Sequence, residues 1–218
     1  MNHNSKNTKM KLTRKEKEKL VRKQDIIEAA IKVFSEKGFY ETSVQDIAKI
    51  VEMGVGTIYK YFKNKDDLYY NAILYKFEGF DKLLSEKLVD NKTFIDQLTT
   101  IVKVWLEYFD TNKAFFMVIF SEWANVKKTM MHGLKIRIMR KMERDSNNIK
   151  LLIEKAKREN EIRGDIDTDI LNSIITGTIR DVIHRKYFNM IKSDSATIIN
   201  NIIVIVSEGI MKERKENL

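Results

Sequence analysis

The chain has no proline and only eight glycines among its 218 residues. A sheet protein needs residues that set a turn at almost every strand junction, whereas a helical bundle needs few of them. The shortage predicts an all-α protein. Hydrophobic residues at 43% and charged residues at 33% place the chain among globular proteins. The length suits one ordinary domain, or a small domain joined to a larger one. There is no cysteine, which excludes disulfides and thiolate chemistry and fits a reducing, cytoplasmic setting. No apolar run approaches the roughly 18–20 residues of a membrane span, and no apolar segment follows the polar N-terminus as a secretory signal requires. No membrane association is expected.

The net charge of +9 is unevenly placed. Residues 1–24 hold nine Lys/Arg against Glu16 and Glu18, so this arm carries seven of the nine net positive charges. A concentrated basic arm is an electrostatic footprint for phosphate, although a solvated tail has the same composition. Residues 1–19 are read as a basic, disordered arm. From about Leu20, the run Ile26, Ile27, Ala30, Ile31, Val33, Phe34 repeats at helical spacing and stops at Gly38, where a left-handed residue can end a helix. In "ETSVQDIAKIVEM", Thr42 with Gln45 has capping-box spacing, and Ser43 with Asp46 offers a second register. Helices are predicted at about 20–37, 43–50 and 55–61, with a fourth opening near Asn64 or Lys65 where Asp66 and Asp67 favour a first turn. Further helices are predicted at about 93–110, 113–125, 127–160, 167–190 and 195–214, about nine in total.

The first three helices, with a turn of about four residues between the second and third, have helix-turn-helix spacing. The stretch "VGTIYKYFKNKDDL" (55–68) sets Tyr59, Tyr61 and Phe62 beside Lys60, Lys63 and Lys65, just behind Gly54 and Gly56. Small residues let a helix end approach the major groove, phenols bond phosphate while their rings pack, and lysines neutralise phosphate. Ile58 and Phe62 are read as core residues fixing the third helix, and Tyr59 and Lys60 as DNA contacts.

Residues 24–70, "IIEAAIKVFSEKGFYETSVQDIAKIVEMGVGTIYKYFKNKDDLYYNAI" in their main part, resemble the DNA-binding domain of the TetR family of bacterial regulators. The resemblance rests on A-x-x-x-F-x-x-x-G-[FY]-x-x-[ST], on Ile47-Ala48, and on G-T-I-Y-x-[YH]-F-x-x-K-x-x-L taken together. It implies a three-helix reading unit at 20–66 and a larger helical domain at 67–218 for ligand binding and dimerisation. It also implies double-stranded operator DNA as a partner, a homodimer through the helices at about 167–190 and 195–214, and a small, largely apolar effector. The "YKYFKNKDD" variant loosely resembles the members that bind acyl-CoA. Carried over by position, Thr42, Ser43 and Gln45 would meet phosphate or base edges. Gly54, Val55, Gly56, Thr57, Tyr59, Lys60, Tyr61 and Lys63 would form the reading surface, and Lys65 would hold the backbone through its amide and charge. Val55 and Thr57 favour contact with thymine methyls over bidentate hydrogen bonds. Glu52 departs from the family, which has glycine in this turn. Either Glu52 takes a left-handed conformation or the turn is altered.

In the second half, the resemblance points to an effector site among Trp105, Tyr108, Phe109, Phe116, Phe120, Trp123 and Met139, with Arg180 and His184 as polar candidates. Aromatics and methionines suit an adaptable apolar cavity. For any single one of them a packed core is the plainer reading. The last helix, "ATIINNIIVIVSEGIMK", is apolar almost all round and needs cover on more than one side, which a two-fold four-helix bundle supplies. An enzyme is the main rival reading. There is no cysteine, only His3, His132 and His184, and no metal, phosphate-loop or dinucleotide motif, so no catalytic residue, cofactor or metal site is assigned. Asp165, Asp167 and Asp169 near Gly164 read as helix-capping acids rather than a calcium loop. A non-specific nucleic-acid binder driven by the basic arm is the other alternative.

Overall fold

In the computed structural model, residues 13–89, 92–124, 136 and 147–210 are described, with the side chains of 122–124 and 147 outside that set. Among these residues the chain forms nine helices: α1 (Arg14–Glu41), α2 (Val44–Ile50), α3 (Val55–Ile58), α4 (Lys65–Lys87), α5 (Phe94–Thr111), α6 (Lys113–Ala124), α7 (Asn147–Arg158), α8 (Thr168–Tyr187) and α9 (Ser195–Ile210). The all-α expectation holds.

Helix ends explain most of the boundaries, because each leaves backbone groups that side chains must satisfy. α1 starts at Arg14, about two turns before the expected Leu20, and the disordered arm assigned to 1–19 is therefore helical from 14 onward. The cause is a capping box. Glu16 N–H donates to Thr13 Oγ1, and Thr13 N–H donates to Glu16 Oε2 at 2.7 Å. Residues 1–12 lie outside the described residues. At the other end Gly38 takes φ 77, ψ 176, a conformation open in practice only to glycine, and kinks α1 before one last turn. α2 uses the Ser43–Asp46 register of the two possible boxes, with Ser43 Oγ accepting from Asp46 N–H. The Ser43 hydroxyl, and after it the Ser43 N–H, donate to the Asp46 carboxylate and hold it at about 2. Asn64 caps α4 by accepting from Asp67 N–H, and Asp167 caps α8. Asp165 pairs with Arg163 at 2.5 Å and Asp169 with Lys150 at 2.5 Å, so the three alternating acids serve helix ends and ion pairs.

Two halves share one core. α1, α2 and α3 close over Ile26, Ala30, Phe34, Ile47, Ile58 and Phe62, all at most 2% exposed. α4 runs through both halves. Its first turns bury Leu68, Tyr69, Ala72 and Ile73 in the three-helix unit, and its last turns bury Phe80 and Leu84 in the larger bundle. α1 packs along α4 and also along α6, giving the bundle a second line of contact with the three-helix unit. The outer face of α9 is less covered than its composition suggests: Ile205 is 72% exposed and Val204 40%, and on α8 Ile170 and Ile174 are also exposed.

One contact fixes α4 against α5. Tyr108 Oη donates to the Lys76 carbonyl at 2.5 Å, reaching over Gly79. A Cβ at position 79 would stand 2.9 Å from that oxygen. Burial pushes the Tyr108 phenol up to about 12, so it remains a donor at any ordinary pH. Gly79→Ala brings the helix about 1 kcal/mol of intrinsic propensity, but only where the phenol oxygen is gone. In urea denaturation, Gly79→Ala is expected to stabilise the Tyr108→Phe background by about that amount. In the wild-type background the same change is expected to give no gain or a loss, because the ring must move.

Candidate nucleic-acid interface and effector region

The reading unit turns on Glu52. α2 ends at Ile50, Val51 N–H still donates to the Ile47 carbonyl, and Met53 N–H folds back to the Ala48 carbonyl at 3.0 Å. That closure puts Glu52 at φ 52, the left-handed region the family reaches with glycine. The turn is preserved, and the residue bears the strain. Its side chain is exposed.

α3 has a single α-turn, Val55–Ile58, rather than the expected 55–61, and continues as tight turns in which Lys60 N–H meets the Thr57 carbonyl and Phe62 N–H the Ile58 carbonyl. Ile58 and Phe62 are buried and pin it inward, as expected of them. Tyr59 is 49% exposed, and Gln45, Gly54, Gly56, Lys60 and Lys63 are exposed beside it. Val55, Thr57 and Tyr61 are half-buried, and Val55 and Tyr61 pack on the core. A Cβ on Gly54 or Gly56 would meet nothing within 4 Å, so no neighbour in the chain requires glycine there.

Three residues assigned to DNA are turned to internal work. Thr42 is 2% exposed and its hydroxyl donates to the Gly38 carbonyl at 2.6 Å, so it ends α1 instead of meeting phosphate. Ser43 is half-buried and its hydroxyl is engaged in the α2 box. Lys65 lies over the Phe39 ring, its Nζ 4.4 Å from the centroid, and donates to the carbonyls of Phe39 (2.8 Å), Thr42 (2.9 Å) and Tyr40 (3.4 Å). An ammonium has three donors, and all three have acceptors here. The lysine Nζ caps the carbonyl end of α1. No spacing signal marks this contact, since donor and acceptors are more than twenty residues apart.

In the bundle, the expected aromatics do come together. Phe109 is the hub. It stacks on Phe116 at 4.1 Å between centroids, on Trp105 at 5.8 Å and on Phe120 at 6.3 Å, and Tyr187 of α8 stacks on its other flank. Tyr108 joins edge-on. Phe109 and Phe116 are buried, so these rings fill the space between α5, α6 and α8. His184 sits against Phe120 at 5.6 Å, whereas Arg180 is exposed on α8. The Trp123 side chain and Met139 lie outside the described residues. A separate groove of 480 Å³ runs between α5 and α9, lined by Leu106, Ile199 and Ile203 with Lys103 and Glu107 at its side, and contains none of the expected effector residues. Around α4, Tyr75 Oη donates to Glu28 of α1 at 2.8 Å, and the half-buried Lys76 donates to Asn112 at 2.6 Å where α5 meets α6. Among the described residues no cluster of metal-ligating side chains occurs, and no helix is long and apolar enough to cross a membrane.

A helix-turn-helix with exposed phenol and lysines, carried on a helical bundle, is the architecture of a DNA-binding regulator. Residues 26–71 match the family model "Bacterial regulatory proteins, tetR family", so the helix-turn-helix unit is of the TetR type. It is 24% identical over 196 residues to the fatty acid metabolism regulator protein of Bacillus subtilis, covering 89% of this chain and 98% of that one. It is likewise 24% identical over 179 residues to a probable acrEF/envCD operon repressor of Escherichia coli, covering 79% of each. The fold is shared with the transcriptional regulator FadR from Bacillus subtilis, solved in complex with stearoyl-CoA, at a TM-score of 0.74 and 23% identity over 85% of this chain and 98% of that one. These relatives are regulators and not enzymes.

Two outcomes follow from the interface. Glu52→Gly is expected to raise stability by about 1 kcal/mol in urea denaturation, the relief of a left-handed residue less the greater freedom of glycine when unfolded. In DNA titrations at several salt concentrations, Lys60→Ala and Lys63→Ala should each lower the slope of log affinity against log salt by about 0.9. Lys65→Met should leave that slope intact while lowering both affinity and the unfolding midpoint.

Proposed function

We propose that this protein is a ligand-responsive homodimeric repressor that binds a palindromic operator and is released from it by a long-chain acyl-CoA or a similar, largely apolar effector. The observation that carries the reading is the route from the aromatic hub to the reading unit. α6 contributes Phe116 and Phe120 to the hub and packs along α1. α4 begins in the reading unit and meets Tyr108 at the Lys76 carbonyl, midway along its length. An acyl chain that enters between α5, α6 and α8 must part stacked rings. The helices that carry those rings are the ones joined to α1 and α4. Trp105, Tyr108, Phe109, Phe116 and Phe120 are the proposed wall, with His184 at its edge. The regulator from Bacillus subtilis whose structure holds stearoyl-CoA supports this choice of effector.

The exposed Ile170, Ile174, Val204 and Ile205 support pairing through α8 and α9, where a second copy would cover them. A two-fold dimer presents two α3 helices about 34 Å apart, matching half-sites one turn apart on cytoplasmic DNA. Gln45, Gly54, Val55, Gly56, Thr57, Tyr59, Lys60, Tyr61 and Lys63 make the reading surface, and the effector weakens binding by shifting the spacing of the two heads. Coupling of about 1–3 kcal/mol, or 5- to 150-fold, is the usual size of such an effect.

A fluorescence-anisotropy titration tests this. The probes are a duplex from upstream of the protein's own gene, or one selected from genomic fragments, and a scrambled duplex, each at two salt concentrations. The expected result is a preference of about a thousandfold, reduced at least about fivefold by stearoyl-CoA and unaffected by free CoA. Equal binding to both duplexes, lost together at higher salt, would mean a non-specific basic binder. Tight binding of stearoyl-CoA with no change in DNA affinity would remove acyl-CoA as the effector.

A further inference from the structure

We infer that the first three turns of α1 are a second, sequence-independent DNA contact, a preformed cationic rail that lies on the phosphate backbone flanking each half-site. This rests on the reading of the protein as an operator-binding regulator. The observation is a change of chemistry along one face of one helix. Residues 15, 19, 22, 26, 30 and 33 repeat at intervals of four and three, which puts them on a single face of α1. The lower half of that face is Ile26, Ala30 and Val33, at most 2% exposed and packed in the core. The upper half is Lys15, Lys19 and Arg22, all exposed. The core-facing stripe therefore runs off the end of its own domain and becomes cationic as it does so. Leu20 and Glu16 border the same face, but Lys15, Lys19 and Arg22 outnumber them, and a net cationic overhang is what a polyanion attracts.

Lys23 fixes where the overhang lies. Its Nζ is 5.6 Å from the centroid of the Phe62 ring, at the end of the turns that follow α3. The exposed Lys60 and Lys63 flank that ring in sequence. The rail starts where the reading surface stops, so a duplex seated on α3 continues along it. The segment is already helical before it meets DNA: Thr13 and Glu16 cap it, and Arg14 donates to Glu18 at 2.9 Å one turn on, which neutralises one acid and leaves the stripe cations unpaired by that bond. Less ordering entropy is then lost on binding than for a disordered arm.

The test compares the full-length protein with the variant Lys15→Gln/Lys19→Gln/Arg22→Gln. The probes are a duplex that the wild-type protein selects from random-sequence DNA, extended by about ten base pairs on each side, the same duplex trimmed to its half-sites, and a scrambled duplex. Circular dichroism checks that the helix persists. For the variant on the extended duplex, the salt slope should fall by about 2.7, three phosphate contacts at about 0.9 each. Affinity for selected and scrambled DNA should drop by the same factor, leaving the preference between them unchanged. Trimming should weaken the wild type and leave the variant unaffected. A wild type that discriminates between sequences, with a variant of unchanged slope, overturns the rail alone. A loss of preference in the variant shows that these residues read bases and also overturns it. A wild type with no preference overturns the regulator reading and the rail with it.

Discussion

The carbonyl end of α1 is the point on which the reading unit depends. A helix ends with carbonyls that have no partner of their own, and here the ending must also redirect the chain into α2 within a few residues. Gly38 makes the bend, Thr42 returns its hydroxyl to the Gly38 carbonyl, and Lys65 brings an ammonium from the head of α4 to the carbonyls of Phe39, Tyr40 and Thr42. The same lysine lies over the Phe39 ring, which packs with Phe34 and Tyr69. One charge therefore joins the end of α1, the start of α2 and the start of α4. α3 is a single α-turn held at its base by Ile58 and Phe62, and it takes its orientation from those three helices rather than from any stability of its own.

α4 carries that orientation into the bundle. At one end it is tied by Lys65, in the middle by Tyr75 to Glu28, and beyond by Lys76 to Asn112 and by its own carbonyl to Tyr108. Each tie is a directional polar contact, part-buried except for the exposed Tyr75–Glu28 bond, so each holds a position and not merely a proximity. Gly79 permits the closest of them. In the proposed mechanism, a displacement of α5 or α6 at the aromatic hub is passed through these ties to the reading unit, with no change needed within that unit.

The local rules were legible wherever the satisfying group lies near in sequence. Lack of proline and glycine foretold helices, and Asn64 and Asp167 foretold caps. The start of α1 was also written locally, as Thr13-x-x-Glu16, but the density of lysine around it suggested a solvated arm. Two capping registers at Thr42 and Ser43 could not be separated from spacing alone, because the choice depends on Thr42 being needed at the end of α1. The internal bonds of Lys65 were not legible for the related reason that its acceptors are distant in sequence. The family pattern marks the lysine, but only the fold reveals that its three donors face inward. The effector wall stays at the level of a neighbourhood, since the residues that would line a cavity and those that pack a core have the same composition.

Gly54 and Gly56 put two demands on the chain in opposition. Neither has a positive φ, and neither faces an atom of the protein where a methyl would go. Folding alone would favour alanine at position 56 by something on the order of 1 kcal/mol, since it lies within a helix. The bare backbone at position 56 is thus unused by the folded protein. On the proposed reading of this edge as the DNA-facing surface, a screen for stability would replace Gly56 at the expense of the readout, so thermal hardening and readout have to be pursued at different positions.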